Sequence, residues 1–311
     1  MKQGKLIISI DFELHWGIFD KVPLTECITY FENTRKVIPK ILKLFEKYQI
    51  KATWATVGML FNESLDELLD SFPEKLPTYE NPKLSAYNYI LKNKDLIRKY
   101  PRFYFAPELI KQIADTPGQE IASHTYSHFY CLEKGQTADD FKTDLLLNIQ
   151  KAKKFDLKIK SLVLPRNQLN TSYYPIAEEL GIENIRTNPD IWFWNTKTPE
   201  SLQKRIARTA DCYLPIHKSI YKDFKSNFGI IEKPASRFMR PVSKYPLLEK
   251  LKIKRIKDEM LTAAKTGKNY HLWWHPHNFG NKPKQSLKEL EQILIHYVNL
   301  NKIYGYENMN F

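Results

Sequence analysis

The segment 6-LIISIDFELHWG-17 governs the reading of this chain: a short β-type run, LIISI, is broken at once by Asp11 and Glu13. Alternation along a strand places the two carboxylates on one face, with Phe12 turned into packing on the other. Two carboxylates side by side repel each other unless a cation or a shared proton relieves them. A competing structural reading pairs one of them with an arginine or uses it to cap the next helix. Further β-type runs follow at 52-ATWATV-57, 161-SLVL-164, 182-IENIR-186 and 270-YHLWWH-275. Helical spacing fills the intervals. In 34-TRKVIPKILKLFEKYQI-50, Val37, Ile38, Ile41, Leu42 and Phe45 form one apolar stripe, and Pro39 predicts that the regular helix starts near it. The pattern returns over 139–155 with Phe141, Leu145, Leu146, Ile149 and Ala152, then in 173-YYPIAEEL-180 before Gly181, and in a closing helix through Leu287, Leu290, Ile293, Leu294 and Tyr297.

Strands alternating with helices predict a parallel sheet or a barrel, because parallel neighbours need helical crossovers. In such folds chemistry gathers at the carboxyl ends of the strands. The unusual polar residues fall there: Asp11 and Glu13 after LIISI, Arg166 and Asn167 after SLVLP, His275 and His277 after YHLWW. The segment 120-EIASHTYSHFY-130 adds His124 and His128, which share a face if it makes a helical turn. Two histidines with a carboxylate can hold a metal and leave positions open for water and substrate; alone, such a pair is as readily a polar surface turn.

Taken in order, these motifs resemble the polysaccharide deacetylases, the NodB-homology or carbohydrate esterase family four group. The resemblance rests on paired acids after a first strand, a hydrophobic strand like ATWATV, His-Thr-x-x-x-His at 124–128 and Leu-x-x-His at 272–275, and spans positions 11 to 275. It implies an α/β fold, a distorted barrel of about seven β/α units, and metal-dependent hydrolytic N-deacetylation of a sugar. The metal is most simply Zn²⁺, with other first-row transition metals open. Carried over by residue, Asp11 matches the catalytic base, His275 the general acid, and His124 and His128 the metal-binding histidines. Glu13 is taken as the acidic ligand because Asp-Phe-Glu stands where the family usually has adjacent Asp-Asp, as in a branch with Asp-x-Glu; Asp11 remains the alternative ligand.

Other positions follow from that resemblance or from the residues themselves. The family generally has an arginine followed by prolines and an aromatic, whereas 164-LPRNQLN-170 has the order altered. Arg166 is expected to orient Asp11 and lower its pKa by charge pairing, with Asn167 at the substrate. Trp16 is a candidate for stacking on a sugar ring, against the commoner core role. His277 rivals His275, which ranks first by its place in the motif, and is itself assigned to the substrate, while His15 reads as structural or supporting. The tryptophans of 188-NPDIWFWN-195 suit either a later aromatic motif or the core.

The composition, 311 residues with 42% hydrophobic and 27% charged, excludes a disordered chain and suits a single catalytic domain over 1–311. Cys27, Cys131 and Cys212 are too dispersed for a disulfide framework or a CxxC knuckle. The apolar run near Met1 is too short for a signal peptide or a spanning helix, so a cytoplasmic location is expected, peripheral at the inner face of the membrane if it contacts lipid. Residues 201–270 carry 17 Lys and Arg against 6 Asp and Glu, most of the net charge of +13. Such a field attracts anions. Without zinc-finger spacing, a helix-turn-helix pattern or an RNP-type motif, nucleic acid is not the expected partner. Arg237 and Arg240 in 236-SRFMRPVSK-244 are instead assigned to the phosphates of a nucleotide- or lipid-linked N-acetyl sugar, in the manner of the family's surface-polysaccharide and O-antigen branch. The alternatives are an amide hydrolase with a non-sugar substrate and an inactive barrel that binds anionic partners.

Overall fold

The computed structural model describes residues 4–311 apart from Lys197, Lys218 and Ser219. Its strands are β1 (Lys5–Phe12), β2 (Ala52–Thr56), β3 (Gln119–Ser123), β4 (Ser161–Leu162), β5 (Asn184–Thr187), β6 (Phe224–Lys225), β7 (Ile231–Pro234), β8 (Arg237–Phe238), β9 (Tyr270–Trp274) and β10 (Glu307–Met309). Helices follow most of them: α1 (Ile28–Tyr48), α2 (Leu65–Asp70), α3 (Ala86–Lys92), α4 (Lys94–Lys99), α5 (Pro107–Asp115), α6 (Ala138–Lys153), α7 (Tyr174–Glu179), α8 (Leu202–Asp211), α9 (Pro246–Thr266) and α10 (Pro283–Tyr304).

The sheet curls in the order β6-β7-β5-β4-β3-β2-β1-β9-β8, and all of these pairings are parallel except β6 with β7. The run 231–239 changes partners along its length. Its first part lies against β5, with Ala235 N–H donating to Thr187 O (2.8 Å). Its second lies against β9, where Ser236 N–H reaches His271 O and Met239 N–H reaches Trp273 O, both at 2.8 Å. One chain segment thus joins both ends of the sheet. Strand β10 pairs in parallel with the start of β1, off this path; leaving it and the antiparallel β6 aside, and counting 231–239 once, gives seven parallel positions, in keeping with the distorted barrel of about seven units that the motifs imply.

Alternation along β1 sorts its side chains. Leu6, Ile8, Ile10 and Phe12 belong to the main core under the helices, whereas Ile7 packs with Ala55, Val163 and Phe311 in a small separate cluster. Ser9 and Asp11, on the same parity as Ile7, continue that inner face towards the carboxyl ends of the strands. The expected stripe of α1 faces the core, with Phe45 edge-on to Trp54 and Trp274, 6.4 Å from each. Burying each such side chain contributes about 1.5–3 kcal/mol.

Several expectations need correction. Helix α1 runs straight through Pro39 rather than starting near it. Strand β3 precedes the two histidines, and 124–128 is a loop rather than a helical turn. The charged run 252-KIKRIKDEM-260, which by its sequence alone suits a solvated helix face, lies in α9, but Lys252 and Arg255 are buried there. Lys252 lies between Glu249 and Glu289, the latter at 2.9 Å, and Arg255 pairs with Glu259 at 3.1 Å. Part of the basic charge of this region is therefore neutralised inside the fold.

Candidate active site

The histidine loop leaves β3 through two non-glycine residues in the left-handed region, Thr125 (φ 62°) and His128 (φ 58°). That conformation is uncommon for such residues and persists only where surrounding bonds enforce it. The Asp144 carboxylate from α6 accepts from Tyr126 N–H (2.6 Å), Ser127 N–H (3.1 Å) and the Ser127 hydroxyl. Phe129 N–H closes on Thr125 Oγ1 at 2.7 Å. Burial lifts Asp144 to about 6 even against these donors. The result brings the His124 and His128 rings to 5.2 Å between centroids.

Each imidazole is oriented from behind. His124 Nδ1 lies 2.8 Å from Val163 O, which makes Nδ1–H the donor and turns Nε2 towards the site. His128 Nδ1 lies 3.0 Å from Tyr130 Oη. Both Nε2 atoms converge on Glu13 Oε2, at 3.3 Å from His124 and 3.1 Å from His128. All three residues are buried, and their ligand atoms lie within 4.8 Å of one another. Burial would raise the Glu13 carboxyl, but His275, His124 and His128 hold it well below the usual carboxylate range; burial pushes His128 down to about 4. A buried carboxylate facing two imidazole Nε2 atoms is the donor set of a transition metal. Gly17 completes this side: a Cβ there would sit 1.9 Å from Glu13 Oε1. Gly17→Ala is expected to displace that carboxylate from the two imidazoles; if the three side chains hold a metal, its affinity should fall roughly 10- to 100-fold in a zinc titration, with the circular dichroism spectrum unchanged.

Asp11 sits deeper in the barrel. Arg186 of β5 grips it with both terminal nitrogens, at 2.6 and 2.7 Å, and also donates to Asn167 Oδ1 (2.9 Å) and Ser9 Oγ (3.1 Å). The Arg186 guanidinium lies 4.3 Å from the Trp273 ring centroid. Burial would raise the Asp11 carboxyl, yet Arg186 outweighs it and Asp11 stays below its ordinary value. His275, the least buried of the group, places Nε2 3.8 Å from Asp11 Oδ2 and 3.6 Å from Glu13 Oε1, with Nδ1 3.3 Å from Asn278 Oδ1. His277 stacks on it, 4.7 Å between centroids, with Nδ1 3.8 Å from Glu13; burial and His275 push it down to about 3.

The structure thus brings together Asp11, Glu13, His124, His128, His275, His277 and Asn167. Others lie elsewhere. Arg166 does not reach Asp11: it pairs with Asp20 and lies 4.2 Å over the Tyr130 ring, because residues 166 and 167 both turn left-handed. Trp16 is wholly buried and donates to Tyr104 O at 2.8 Å, so no sugar ring reaches it. Arg237 is also buried, committed to Glu259 (2.6 and 2.7 Å) and Asp211 (3.1 Å), and has no face left for phosphate. His15 packs among Phe31, Tyr89 and Tyr104, and His271 lies 2.8 Å from Ser9 Oγ inside the barrel. Arg186 was the residue missed. Its signal was available: next to the core residue Ile185, a charge on the opposite face of a buried strand requires a counter-charge inside the barrel.

The model of the family described as polysaccharide deacetylase matches residues 17–185, more than half of the chain and both histidines of the loop. The chain belongs to the polysaccharide deacetylase family. The matched stretch leaves Asp11, Glu13, Arg186 and His275 of this polysaccharide deacetylase outside it. A Mycobacterium smegmatis protein described as a polysaccharide deacetylase is 14% identical and superposes with a TM-score of 0.60 over 95% of this chain and 84% of that one. One from Pseudomonas aeruginosa PAO1, described likewise, is 12% identical, with a TM-score of 0.55 over 95% and 85%. The α-amylase AmyC of Thermotoga maritima is also similar, at 10% identity and a TM-score of 0.56 over 99% and 73%. At these identities the likeness is one of fold. No curated protein matches the chain.

Proposed function

We propose that this polysaccharide deacetylase removes the acetyl group from an N-acetyl sugar in a metal-dependent hydrolysis, with Glu13, His124 and His128 as ligands. The observation that carries the reading is the convergence of two buried imidazole nitrogens on one buried carboxylate, with Asp11 and His275 on the same side. When bound, a divalent ion such as Zn²⁺ would supply a Lewis acid for the acetyl carbonyl and make water more acidic. The protein's own groups supply the proton transfers. Asp11, kept ionised by Arg186, takes the proton of the attacking water. His275 Nε2 protonates the departing amine, which leaves poorly as its anion, and Asn278 holds the opposite ring nitrogen.

The substrate class in this proposal is a phosphate-bearing precursor of a surface polysaccharide on a nucleotide or lipid carrier, handled in the cytoplasm or at its membrane face. Its support is the surplus of positive charge over 201–270; no helix among the described residues is long and apolar enough to cross a membrane. The test is acetate release from a panel of N-acetyl sugars. Chelator should abolish it, Zn²⁺ should restore it in the wild type, and His128→Ala should stay inactive in both. Undiminished release in chelator, or none from any sugar by the zinc-loaded protein, would overturn the proposal.

A further inference from the structure

A cavity of about 230 Å³ opens beside His275. Trp194, Phe238 and Trp273 form aromatic walls, Phe238 lying 4.6 Å from Trp273 and Trp194 edge-on to it at 6.3 Å. Arg208, Arg237 and Arg240 also line it, with Arg255 behind. The charges on this wall do not balance. Arg237 and Arg255 share Asp211 and Glu259, and Arg208 is held by Glu200 and by Phe193 O at 2.7 Å. Among the described residues no carboxylate pairs with Arg240, whose side-chain neighbours include the Cys212 thiol and Tyr213.

Arg240 is also well placed. It follows β8, where Met239 N–H bonds Trp273 O at 2.8 Å, and its own carbonyl accepts from Lys252 Nζ at 3.1 Å. A half-buried guanidinium with no counter-ion, on the wall of a cavity that reaches the proposed acid, is a site for an anion. The aromatic walls suit a ring carrying it. A lysine-rich groove of about 910 Å³ between α9 and α10 is larger, but none of the residues brought together at the site lines it.

We propose that the cavity beside His275 is the phosphate subsite of this enzyme: Arg240 binds a phosphate ester on the N-acetyl sugar while the aromatic walls pack against the attached ring. The proposal rests on the sugar-deacetylase reading and specifies its substrate class. Its test has two parts. In turnover, a nucleoside diphosphate sugar, the same sugar as its 1-phosphate, a vesicle-borne lipid pyrophosphate sugar and the neutral N-acetyl sugar are compared, the first three distinguishing the carriers. Arg240→Ala should reduce the preference for phosphorylated over neutral substrate about 10- to 100-fold, the worth of a charge-assisted hydrogen bond; Lys250→Ala in the outer groove should leave the ratio unchanged. In binding, calorimetry with inorganic phosphate needs no turnover, so it reports on the subsite even if no sugar is deacetylated. Phosphate should bind the wild type and His128→Ala but not Arg240→Ala. Binding retained in Arg240→Ala and lost in His128→Ala would place the anion at the metal ligands and overturn the proposal, as would an unchanged substrate preference in Arg240→Ala.

Discussion

Asp11→Asn is expected to lower kcat about 100- to 10,000-fold, the contribution of a positioned general base, while zinc stoichiometry stays at the wild-type level. The amide keeps the shape of the carboxylate and one acceptor for Arg186 but leaves that buried guanidinium without its counter-charge, so turnover is compared on protein whose circular dichroism spectrum matches the wild type. Glu13→Gln should do the reverse, losing zinc and activity together, because both histidine nitrogens converge on the Glu13 carboxylate. Measuring bound metal alongside acetate release separates the two carboxylates. Loss of zinc in Asp11→Asn with retention in Glu13→Gln would exchange their roles.

Arg186→Met should cost about 3–5 kcal/mol of stability in urea unfolding, because it strands the buried Asp11 carboxylate without its cation. Activity should fall with it. Since the pair holds the folded-state pKa of Asp11 below its ordinary 3.8, its stabilisation is present above that pH and is lost as the pH falls through the lower folded value. Adding Asp11→Asn to Arg186→Met should recover most of the stability and none of the turnover, since a neutral side chain no longer needs a counter-charge. A single Arg186→Met variant as stable as the wild type would show that water already reaches Asp11 and that the pairing matters little to the fold.

What could be read from the sequence was what repeats along the chain. The inner parity of β1, the stripe of α1 and the apolar run of β9 follow from periodicities of two and near four, and their burial agrees with them. The His124–His128 pair was visible, but the geometry that unites it was not: left-handed Thr125 and His128, fixed by Asp144 from a later helix, leave no local signature. The same turn chemistry sends Arg166 away to Asp20 and leaves Asp11 to Arg186. Strands β7 and β8 escaped notice because Glu232, Lys233, Pro234 and Arg237 interrupt any apolar run. The charge surplus at 201–270 is a property of the sequence, but sequence alone could not show that Arg237 and Arg255 are neutralised by buried acids.

The partner change within 231–239 makes this segment a clasp. Ala235 and Ser236 bond to opposite sides of one seam, and Arg237 and Arg240 continue directly from them. Beyond the seam stand β9 and His275; before it stand β5 and Arg186. The clasp therefore ties the strand whose guanidinium steadies Asp11 to the strand that leads into the imidazole facing it, so the two sides of Asp11 are held by one continuous backbone link.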